Sequence, residues 1–512
     1  MDSVAARNGY YLKRYFMEFT DASIEEVNEV MQRAWDAFTV YRKAPLKERA
    51  RFMRAIAKEL DSAGDELIQT AMQETNLPEA RLKNEKTRTV FQLNNYADAC
   101  ERGDWLEARI DTANSNRNPP KPDIRKMLVP LGPVVVFGAA NFPFAYSTAG
   151  GDTACALAAG CPVVVKSHPS HAQTSEGVAQ LILKAAEQCK MPPGIFSHVH
   201  GVAFEVGRAL VEHPHARAVG FTGSYLGGRQ LFDWAGQRPK PIPVFAEMSS
   251  INPVFLLPGK LRESANETAT LYASSITLGV GQFCTNPGLI IGIEGPELKK
   301  FIHTLGEEIV KTAPGTMLHM GIFKNYVERR GNALSQEEVE TVAVSEKDPH
   351  LNEAAPTLAS TTGQAFLNNP VLHLEVFGPY SLVVRCQDEK EMLEVTKHME
   401  GQLTSTVMAN ENDLVHFVEL IEEIKGICGR LILNGVPTGV EVCLSMQHGG
   451  PFPATTDSRF TSVGADGIKR FARPVAWQNW GNDALPDELK NENPLNLWRT
   501  VNDELTKEKI TT

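Results

Sequence analysis

Cys284 lies in a segment that could support nucleophilic chemistry. The surrounding residues 281–288, GQFCTNPG, are mostly glycine and small polar residues, and they follow a stretch with helical periodicity. Backbone N–H groups in such a loop can donate hydrogen bonds to an oxyanion that develops on an attacked carbonyl. A thiol also suits this task, because its ordinary pKa of about 8.5 leaves a few per cent thiolate at neutral pH. The alternative is a small buried hydrophobic residue, which is the usual role of cysteine.

Three other polar residues could assist this thiol, and each has an ordinary structural alternative. Glu247 ends a short apolar stretch, where a carboxylate could act on a bound ligand or simply lie on the surface. Asn141 follows the predicted strand Val134–Phe137 and could donate its amide to an oxyanion or occupy a turn. His448 precedes a Gly-Gly-Pro sequence and could transfer protons or serve only in packing.

Two segments could hold a nucleotide. Lys166 ends the apolar sequence PVVVK, where it could hydrogen-bond a ribose or a phosphate, or be a solvated strand end. The sequence GFTGSYLGGR at residues 220–229 follows a predicted strand and opens a helix, whose N-terminal amides favour a pyrophosphate. It contains Gly223, Ser224 and Gly228 but lacks the G-x-G-x-x-G pattern, so the usual dinucleotide fingerprint is absent.

The order of helical and apolar segments predicts the fold that must position these residues. Residues 24–98 have helical periodicity, with Ser23 as a helix cap followed by acidic residues. Four short apolar strands alternate with helices between residues 134 and 221, and the alternation restarts after Pro239 and continues to residue 434. This pattern predicts two doubly wound α/β domains with parallel sheets covered on both faces. Residues 333–357 have no clear pattern, and a polar arm is predicted after residue 477.

Composition narrows the functional classes. A chain of 512 residues is expected to form two to four domains at about 100–200 residues each. The net charge of −11 makes nucleic acid a poor partner, and no apolar run approaches the roughly 18 residues of a membrane span. The eight cysteines have neither C-x-x-C pairs nor zinc-like spacing with histidines, which predicts a reduced, cytoplasmic protein without a metal site. The N-terminal sequence MDSVAARNGYYLKRYFMEF is not expected to be a secretory signal.

Six segments, in the same order over roughly residues 20–475, resemble the aldehyde dehydrogenase superfamily. They are NFPF with Asn141, VVK with Lys166, GFTGS followed by Gly228, the strand ending at Glu247, GQFCT with Cys284, and EVFGP with Glu375 and Phe377. The chain is most similar to the branch of α-ketoglutaric semialdehyde (2,5-dioxopentanoate) dehydrogenases and a bacterial fatty aldehyde dehydrogenase. The segments that carry this closer resemblance are AANFPFAYSTAGGDTA at 139–154, ILNGVPTGVEV at 432–442 and MQHGGPFPATT at 446–456.

The resemblance implies a reaction through a covalent thioester. Cys284 would attack the aldehyde, and the oxyanion of the resulting thiohemiacetal would accept hydrogen bonds from the Asn141 amide and the Cys284 N–H. Hydride transfer would then leave a thioester, which Glu247 would hydrolyse by activating water. His448 is typical of the branch and is a further candidate for a catalytic role.

The same resemblance implies NAD or NADP as the cofactor. Gly223, Ser224 and Gly228 would face the pyrophosphate, Lys166 the adenine ribose, and Glu375 with Phe377 the nicotinamide ribose. The sequence departs from the family where the usual ELGGK is Glu247-Met-Ser-Ser-Ile and the usual KPSE is Lys166-Ser-His-Pro. Lys166 and His168 could pair with a 2′-phosphate, so the choice between NAD and NADP stays open.

The resemblance also predicts an organisation in three parts. The parts are an NAD(P)-binding domain at residues 1–107 and 133–246, a catalytic domain at 247–477, and a small oligomerisation element at 108–132 and 478–512. We expect a homodimer or homotetramer that acts in sugar acid catabolism.

The leading substrate hypothesis is 2,5-dioxopentanoate, with Arg430, Arg459 and Arg470 as possible anchors for its carboxylate. The alternatives are a long-chain or general aldehyde, an acylating reaction with coenzyme A, and an inactive scaffold.

Overall fold

The computed structural model describes residues 19–511. The N-terminal sequence that is not expected to be a secretory signal lies almost entirely within residues 1–18, outside the described residues. Residue 512 of the predicted arm also lies outside them. Between residues 19 and 511 no helix combines the length and the apolar character that crossing a membrane requires.

The helices and strands are numbered in chain order. The helices are α1 (Ile24–Tyr41), α2 (Leu46–Ser62), α3 (Asp65–Thr75), α4 (Glu79–Arg102), α5 (Gly151–Ala159), α6 (Ala172–Gln188), α7 (Phe204–Glu212), α8 (Tyr225–Gln237), α9 (Pro258–Thr277), α10 (Pro296–Lys311), α11 (Met320–Leu334), α12 (Gly363–Asn368), α13 (Glu389–Lys397), α14 (Glu411–His416) and α15 (Val418–Ile427). The strands are β1 (Arg109–Asp111), β2 (Ile124–Pro130), β3 (Val134–Phe137), β4 (Val163–Lys166), β5 (Phe196–Val199), β6 (Ala218–Thr222), β7 (Val244–Glu247), β8 (Val254–Leu256), β9 (Leu289–Ile293), β10 (Gly315–Thr316), β11 (Glu340–Val344), β12 (Glu353–Ala354), β13 (Thr357–Thr362), β14 (Tyr380–Cys386), β15 (Gln402–Met408), β16 (Cys428–Leu433), β17 (Ala472–Gln478), β18 (Arg499–Val501) and β19 (Glu504–Thr506).

The predicted helical start of the described chain is confirmed. Ser23 caps α1, because its side chain accepts a hydrogen bond from Glu26 N while the Glu26 carboxylate accepts one from Ser23 N. This reciprocal pair satisfies two backbone donors that the first helical turn would otherwise leave free.

The first sheet is parallel and has the order β5-β4-β3-β6-β7. The chain starts at β3, moves outward to β4 and β5, and then returns to the other side of β3 at β6. In an open α/β sheet, this reversal creates a crevice at the carboxyl ends of the strands, where ligands bind. Asn141 follows β3, Gly223 follows β6, and Glu247 ends β7, so the topology directs three predicted site residues to one edge of the sheet.

Alternate side chains of this sheet enter two separate cores, as the doubly wound prediction requires. Val134 and Val136 pack with residues of α2, α4, α5 and α6, whereas Val135 and Phe137 pack with residues of α1, α7 and α8. Since side chains of a strand point alternately to the two faces, helices must cover both faces.

The second sheet has the order β11-β13-β14-β9-β8-β15-β16, and its strands are parallel except for β11. Both of its faces are also covered: Leu289 and Ile291 of β9 enter one core, and Ile290 enters another core with α9 and α10. The predicted α/β class with two doubly wound units is thereby confirmed. Cys284 lies on the segment that leads from α9 into β9.

A third sheet, in the order β17-β2-β1-β18-β19, joins the segment around residues 109–130 to the C-terminal part of the chain. It includes the predicted pairing of a crossing segment with a C-terminal arm. Residues 472–477 are predicted to end the catalytic domain at 247–477. They lie in β17, which starts at Ala472 and pairs with this third sheet rather than with the second sheet. The exact domain boundaries stay a prediction.

The segment at residues 333–357, which has no clear sequence pattern, and two helical regions have irregular features. The unassigned residues 333–357 contain β11, an edge strand whose side chains are mostly exposed and therefore lack an apolar alternation. Helices α14 and α15 meet at Phe417, whose backbone leaves the helical region. Helix α9 is interrupted at Ser264.

Candidate active site

Tight backbone packing positions the loop that carries Cys284. Gly279 and Gly281 adopt positive φ angles of 54° and 64°, which glycine tolerates without steric cost. A side chain at Gly281 would place its Cβ 2.3 Å from the backbone of Gly378, so the loop and the 378–379 segment can approach only because residue 281 is glycine. The fully buried Asn252 fixes the other side of the loop, donating its amide to the carbonyl oxygens of Cys284 and Asn286 at 2.9 Å each.

The structure brings Cys284, His448 and Glu247 into one cluster. His448 Nε2 lies 3.6 Å from Cys284 Sγ and 3.1 Å from Glu247 Oε1, while Ser462 Oγ donates to Glu247 Oε2 at 2.7 Å. The side chains of His448 and Glu247 are 0% and 2% exposed. A buried carboxylate and imidazole in contact can exchange a proton with the neighbouring thiol.

The loop of His448 is fixed by its own hydrogen bonds. His448 N donates to Thr461 Oγ1 at 2.9 Å, and Ser462 N donates to the His448 carbonyl at 2.8 Å. A backbone bridge between Glu247 and Thr455 ties the end of β7 to the same segment. The segment 446–462 therefore holds the imidazole against both of its partners.

Burial and charge set the ionisation of this cluster. Burial opposes the charged form of Glu247, but the contacts with His448 and Ser462 outweigh it and hold the pKa of Glu247 below its ordinary value. The pKa of the Cys284 thiol is well above its ordinary value. Burial is the main cause, and the neighbouring Glu247 carboxylate adds to it. At neutral pH the Cys284 thiol is therefore protonated, and the adjacent Glu247 carboxylate is ionised.

Asn141 reaches the same loop. Its Nδ2 donates to the Gln282 carbonyl at 3.0 Å, which leaves the second amide hydrogen for another acceptor. The backbone around it is held from α4, because the buried Glu85 carboxylate accepts from Phe144 N and Ala145 N at 2.8 and 2.9 Å. Burial raises the pKa of Glu85 to about 7, with those hydrogen bonds opposing the shift.

A cavity of about 510 Å³ lies between the two large sheets, and three of the predicted cofactor residues line it. They are Ser224, Glu375 and Phe377. Ser224 caps α8 by accepting from Gly227 N at 3.2 Å, so the N–H groups of the first turn lie beside the cavity. Gly228 lets α8 pack closely on the end of β7, since a Cβ there would lie 2.6 Å from Met248.

These features fit a dinucleotide cofactor. A helix N-terminus at a large cavity favours a pyrophosphate, and a carboxyl group can hydrogen-bond ribose hydroxyls. Burial raises the pKa of Glu375 to about 7, which contacts with Ser249 and Ser250 partly offset. The roles of these residues stay predictions.

The other predicted cofactor residues lie elsewhere on the edge of the first sheet. Gly223 N donates to the Glu247 carbonyl at 3.0 Å, so this glycine links the β6 loop to the end of β7. Lys166 ends β4, where burial lowers its pKa and Asp21 partly offsets the shift. His168 accepts a hydrogen bond from Ser170 N at 3.1 Å, and burial holds its pKa well below its ordinary value. A neutral imidazole engaged in this way offers no positive charge to a 2′-phosphate.

Of the three arginines suggested as carboxylate anchors, Arg459 and Arg470 are engaged by aspartates. Arg459 pairs with Asp457 on the surface, and the buried Arg470 pairs with Asp152 at 2.6 Å. Arg430 donates to the carbonyls of Pro437 and Gly439 at 2.7 and 3.0 Å. Burial lowers the pKa of Arg430, and negative charge on Cys284 or Tyr146 would partly offset this shift.

Sequence reasoning missed Arg88, which lies on α4. Its guanidinium stands 5.3 Å from the centre of the Tyr146 ring and donates to Tyr146 Oη at 3.4 Å and to the Val440 carbonyl at 3.2 Å. The Tyr146 ring is in turn 6.2 Å from the His448 ring. No local motif distinguishes Arg88 from the other charged residues of its helix, so only the folded chain reveals its position.

Comparison with known proteins decides the family. Residues 8–451 match the aldehyde dehydrogenase family. The chain belongs to the aldehyde dehydrogenase family. The predicted family and enzyme class are thereby confirmed, and NAD(P) is the cofactor that this family uses.

Two relatives are similar to this aldehyde dehydrogenase over almost the whole chain. It is 48% identical over 482 residues to alpha-ketoglutaric semialdehyde dehydrogenase 2 of Azospirillum brasilense, which covers 94% of this chain and 92% of that one. It is 45% identical over 490 residues to alpha-ketoglutaric semialdehyde dehydrogenase of Acinetobacter baylyi, covering 95% and 93%. The structure of 1-pyrroline-5-carboxylate dehydrogenase from Thermus with bound NAD is similar in fold, with a TM-score of 0.75 at 21% identity over 90% of this chain and 86% of that one.

Replacement of Glu247 tests the electrostatics of the cluster. Because its carboxylate raises the Cys284 pKa, Glu247→Gln should lower that pKa and shift the pH dependence of thiol alkylation to lower pH. The measurement is the rate of iodoacetamide modification of the Cys284 peptide, followed by mass spectrometry without cofactor. The exposed Glu441→Gln is the matched control and should leave the profile unchanged. An unshifted profile in Glu247→Gln would contradict the arrangement.

Proposed function

We propose that this aldehyde dehydrogenase oxidises 2,5-dioxopentanoate to 2-oxoglutarate with NAD⁺ or NADP⁺, through a thioester on Cys284. The observation that carries the reaction is the contact of one buried imidazole, His448, with both Cys284 Sγ and a Glu247 oxygen. The substrate is supported by the two semialdehyde dehydrogenases that are 48% and 45% identical over almost the whole chain. An enzyme with this activity belongs in sugar acid catabolism.

In the first half of the reaction, Cys284 becomes the nucleophile. Its proton passes to His448 and from there to solvent, so Glu247 stays ionised, and the thiolate attacks the aldehyde carbon. The oxygen that becomes negative accepts hydrogen bonds from the free amide hydrogen of Asn141 and from Cys284 N–H, a pair that the loop contacts hold in place. The cofactor that Glu375 and the first turn of α8 would hold would supply the hydride acceptor for this oxidation.

In the second half, the same cluster hydrolyses the thioester. Glu247, which is ionised at neutral pH, takes a proton from water as the water attacks the acyl carbon. His448 and Ser462 hold the two carboxylate oxygens, so the direction in which Glu247 presents its lone pairs is fixed. The thiolate leaves and recovers a proton from the cluster. A base so close to the sulfur favours water over coenzyme A as the group that resolves the thioester.

The positive charge of Arg88 near the reacting sulfur favours a substrate that carries a carboxylate. Its guanidinium is half-buried beside Tyr146 and Val440, and its charge acts on the Cys284 thiol. Burial of the group opposes its charge, but Tyr146 and nearby acidic groups outweigh this effect and raise the pKa of Arg88 above its ordinary value. A permanently charged guanidinium near the reacting sulfur fits the distal carboxylate of 2,5-dioxopentanoate, whereas the end of a fatty chain would lose apolar contacts there. Arg430 would add a second positive charge and hold the 437–439 loop.

We also propose the finer points of cofactor binding and assembly. Glu375 would hold the nicotinamide ribose, the first turn of α8 the pyrophosphate, and Lys166 the adenine ribose. A homodimer or homotetramer is supported by apolar side chains exposed on the third sheet and its flanks: Leu505, Trp480 and Trp498 are 68%, 54% and 48% exposed. A cytoplasmic location is supported by the eight cysteines, all of them free.

Replacement of Glu247 should separate the two halves of the reaction. In Glu247→Gln, one equivalent of reduced cofactor should form rapidly per active site, and steady-state turnover should fall by about 10²–10⁴-fold because water is no longer activated. Stopped-flow absorbance of the reduced cofactor measures both phases. Coenzyme A added to the wild type should not change the product, and formation of an acyl-coenzyme A would contradict the hydrolytic assignment.

Replacement of Arg88 should discriminate between acidic and neutral aldehydes. Arg88→Met should reduce kcat/KM for 2,5-dioxopentanoate by about 10–100-fold, the cost of a lost charge-assisted hydrogen bond, and leave pentanal within about threefold. Arg459→Met is the matched control, since Arg459 pairs with Asp457 on the surface, and it should change neither value. If the wild type turns over decanal far better than 2,5-dioxopentanoate, the proposed substrate is wrong.

A further inference from the structure

We propose that Glu176, His198 and His200 form a binding site for one divalent transition-metal ion of the Zn²⁺ type, apart from the catalytic cleft. His198 Nδ1 and His200 Nε2 each lie 3.0 Å from the same atom, Glu176 Oε2. The three ligand atoms lie within 4.8 Å of one another. Two imidazoles and a carboxylate are a donor set that zinc takes in proteins.

Regular secondary structure holds these ligands. His198 belongs to β5 and His200 follows it directly, so the two side chains lie on the same side of extended backbone. Glu176 lies near the start of α6, which packs on β5. The sequence shows no metal-ligand spacing here, because Glu176 is 22 residues before His198 and no local Cys/His motif is present.

The relative orientation of the His198 and His200 rings fits two ligands of one ion better than it fits aromatic stacking. The ring planes are inclined at 88° with centroids 4.8 Å apart, so the two imidazoles reach the shared point from different directions. Tetrahedral zinc with bonds of about 2.0–2.1 Å separates its ligand atoms by roughly 3.3 Å. The observed separations of 3.0 Å from the carboxylate oxygen therefore need to widen by only a few tenths of an ångström.

Outer contacts orient the ligands, as they do in known metal sites. Ser175 Oγ lies 2.8 Å from His198 Nε2, so the far nitrogen of that ring can donate to the hydroxyl when Nδ1 binds an ion. Gln180 Nε2 donates to the other oxygen of Glu176 at 2.7 Å. The far nitrogen of His200, Nδ1, is buried without a hydrogen-bond partner in the described residues and can carry the ring proton.

An ion can reach this site from solvent. His200 lines a cavity of about 280 Å³ together with Asp21 and Glu74, two carboxylates that accept hydrogen bonds from nearby backbone N–H groups. Water from this cavity would complete the coordination. Since β5 and the Glu247-bearing β7 are at opposite edges of the first sheet, the ion would join β5 to α6 and take no part in aldehyde oxidation.

Zinc stoichiometry tests the site. The full-length Cys284→Ser variant, which removes the thiol of the catalytic cluster, should retain one Zn²⁺ per chain after equilibrium dialysis. A His198→Gln/His200→Gln double variant in the same background should retain none. The matched control is His213→Gln/His215→Gln, because His213 and His215 are also two residues apart on this domain but share no carboxylate, and it should retain one Zn²⁺.

A second measurement keeps the test valid if the double variant folds poorly. Co²⁺ bound to Cys284→Ser should give visible absorption bands of a tetrahedral nitrogen and oxygen site. Zn²⁺ should raise the Tm of this variant but not that of Glu176→Gln in the same Cys284→Ser background. Failure of Cys284→Ser to bind Zn²⁺, or equal binding by the double histidine variant, would overturn the proposal. Neither outcome would bear on the proposed thioester mechanism, because that mechanism does not use this site.

Discussion

The structure depends on one constraint: a single buried imidazole must contact a sulfur and a carboxylate at the same time. His448 Nε2 satisfies this at 3.6 Å from Cys284 and 3.1 Å from Glu247. Buried charges interact strongly, so an ionised Glu247 without His448 would disfavour the thiolate that the reaction needs. The imidazole resolves this conflict because Nε2 can accept the thiol proton and then, as an N–H, donate to the Glu247 carboxylate.

The fold serves this contact by bringing together three parts of the chain. The first sheet supplies Glu247 at the end of β7, the second sheet begins just after the Cys284 loop, and the 446–462 segment supplies the imidazole. Neutral buried side chains, chiefly Asn252 and Thr461, fix the backbone of these parts. Fully satisfied polar contacts of this kind make the geometry unique in a way that apolar packing alone does not.

Much of this arrangement could be predicted from the sequence, because strand and helix periodicity identified both sheets and the ordered motifs identified Cys284, Glu247 and Asn141. The rest could not, since it depends on contacts between distant residues. The sequence marked His448 as a candidate, but it gave no sign of its contacts with partners 164 and 201 residues away, nor of Arg88 reaching Val440 across 352 residues. The Glu176, His198 and His200 cluster likewise exists only once α6 packs on β5. Edge strands such as β11 escaped notice because their exposed side chains carry no apolar alternation.

The central claim is that the acyl group is carried by the sulfur at position 284. The most direct measurement is mass spectrometry of peptides from enzyme quenched with acid during turnover of 2,5-dioxopentanoate. The account predicts that the peptide containing Cys284, and no other, gains the mass of one 2-oxoglutaryl group. An acyl group on a different residue, or an unmodified Cys284 peptide while reduced cofactor accumulates in the burst, would contradict it.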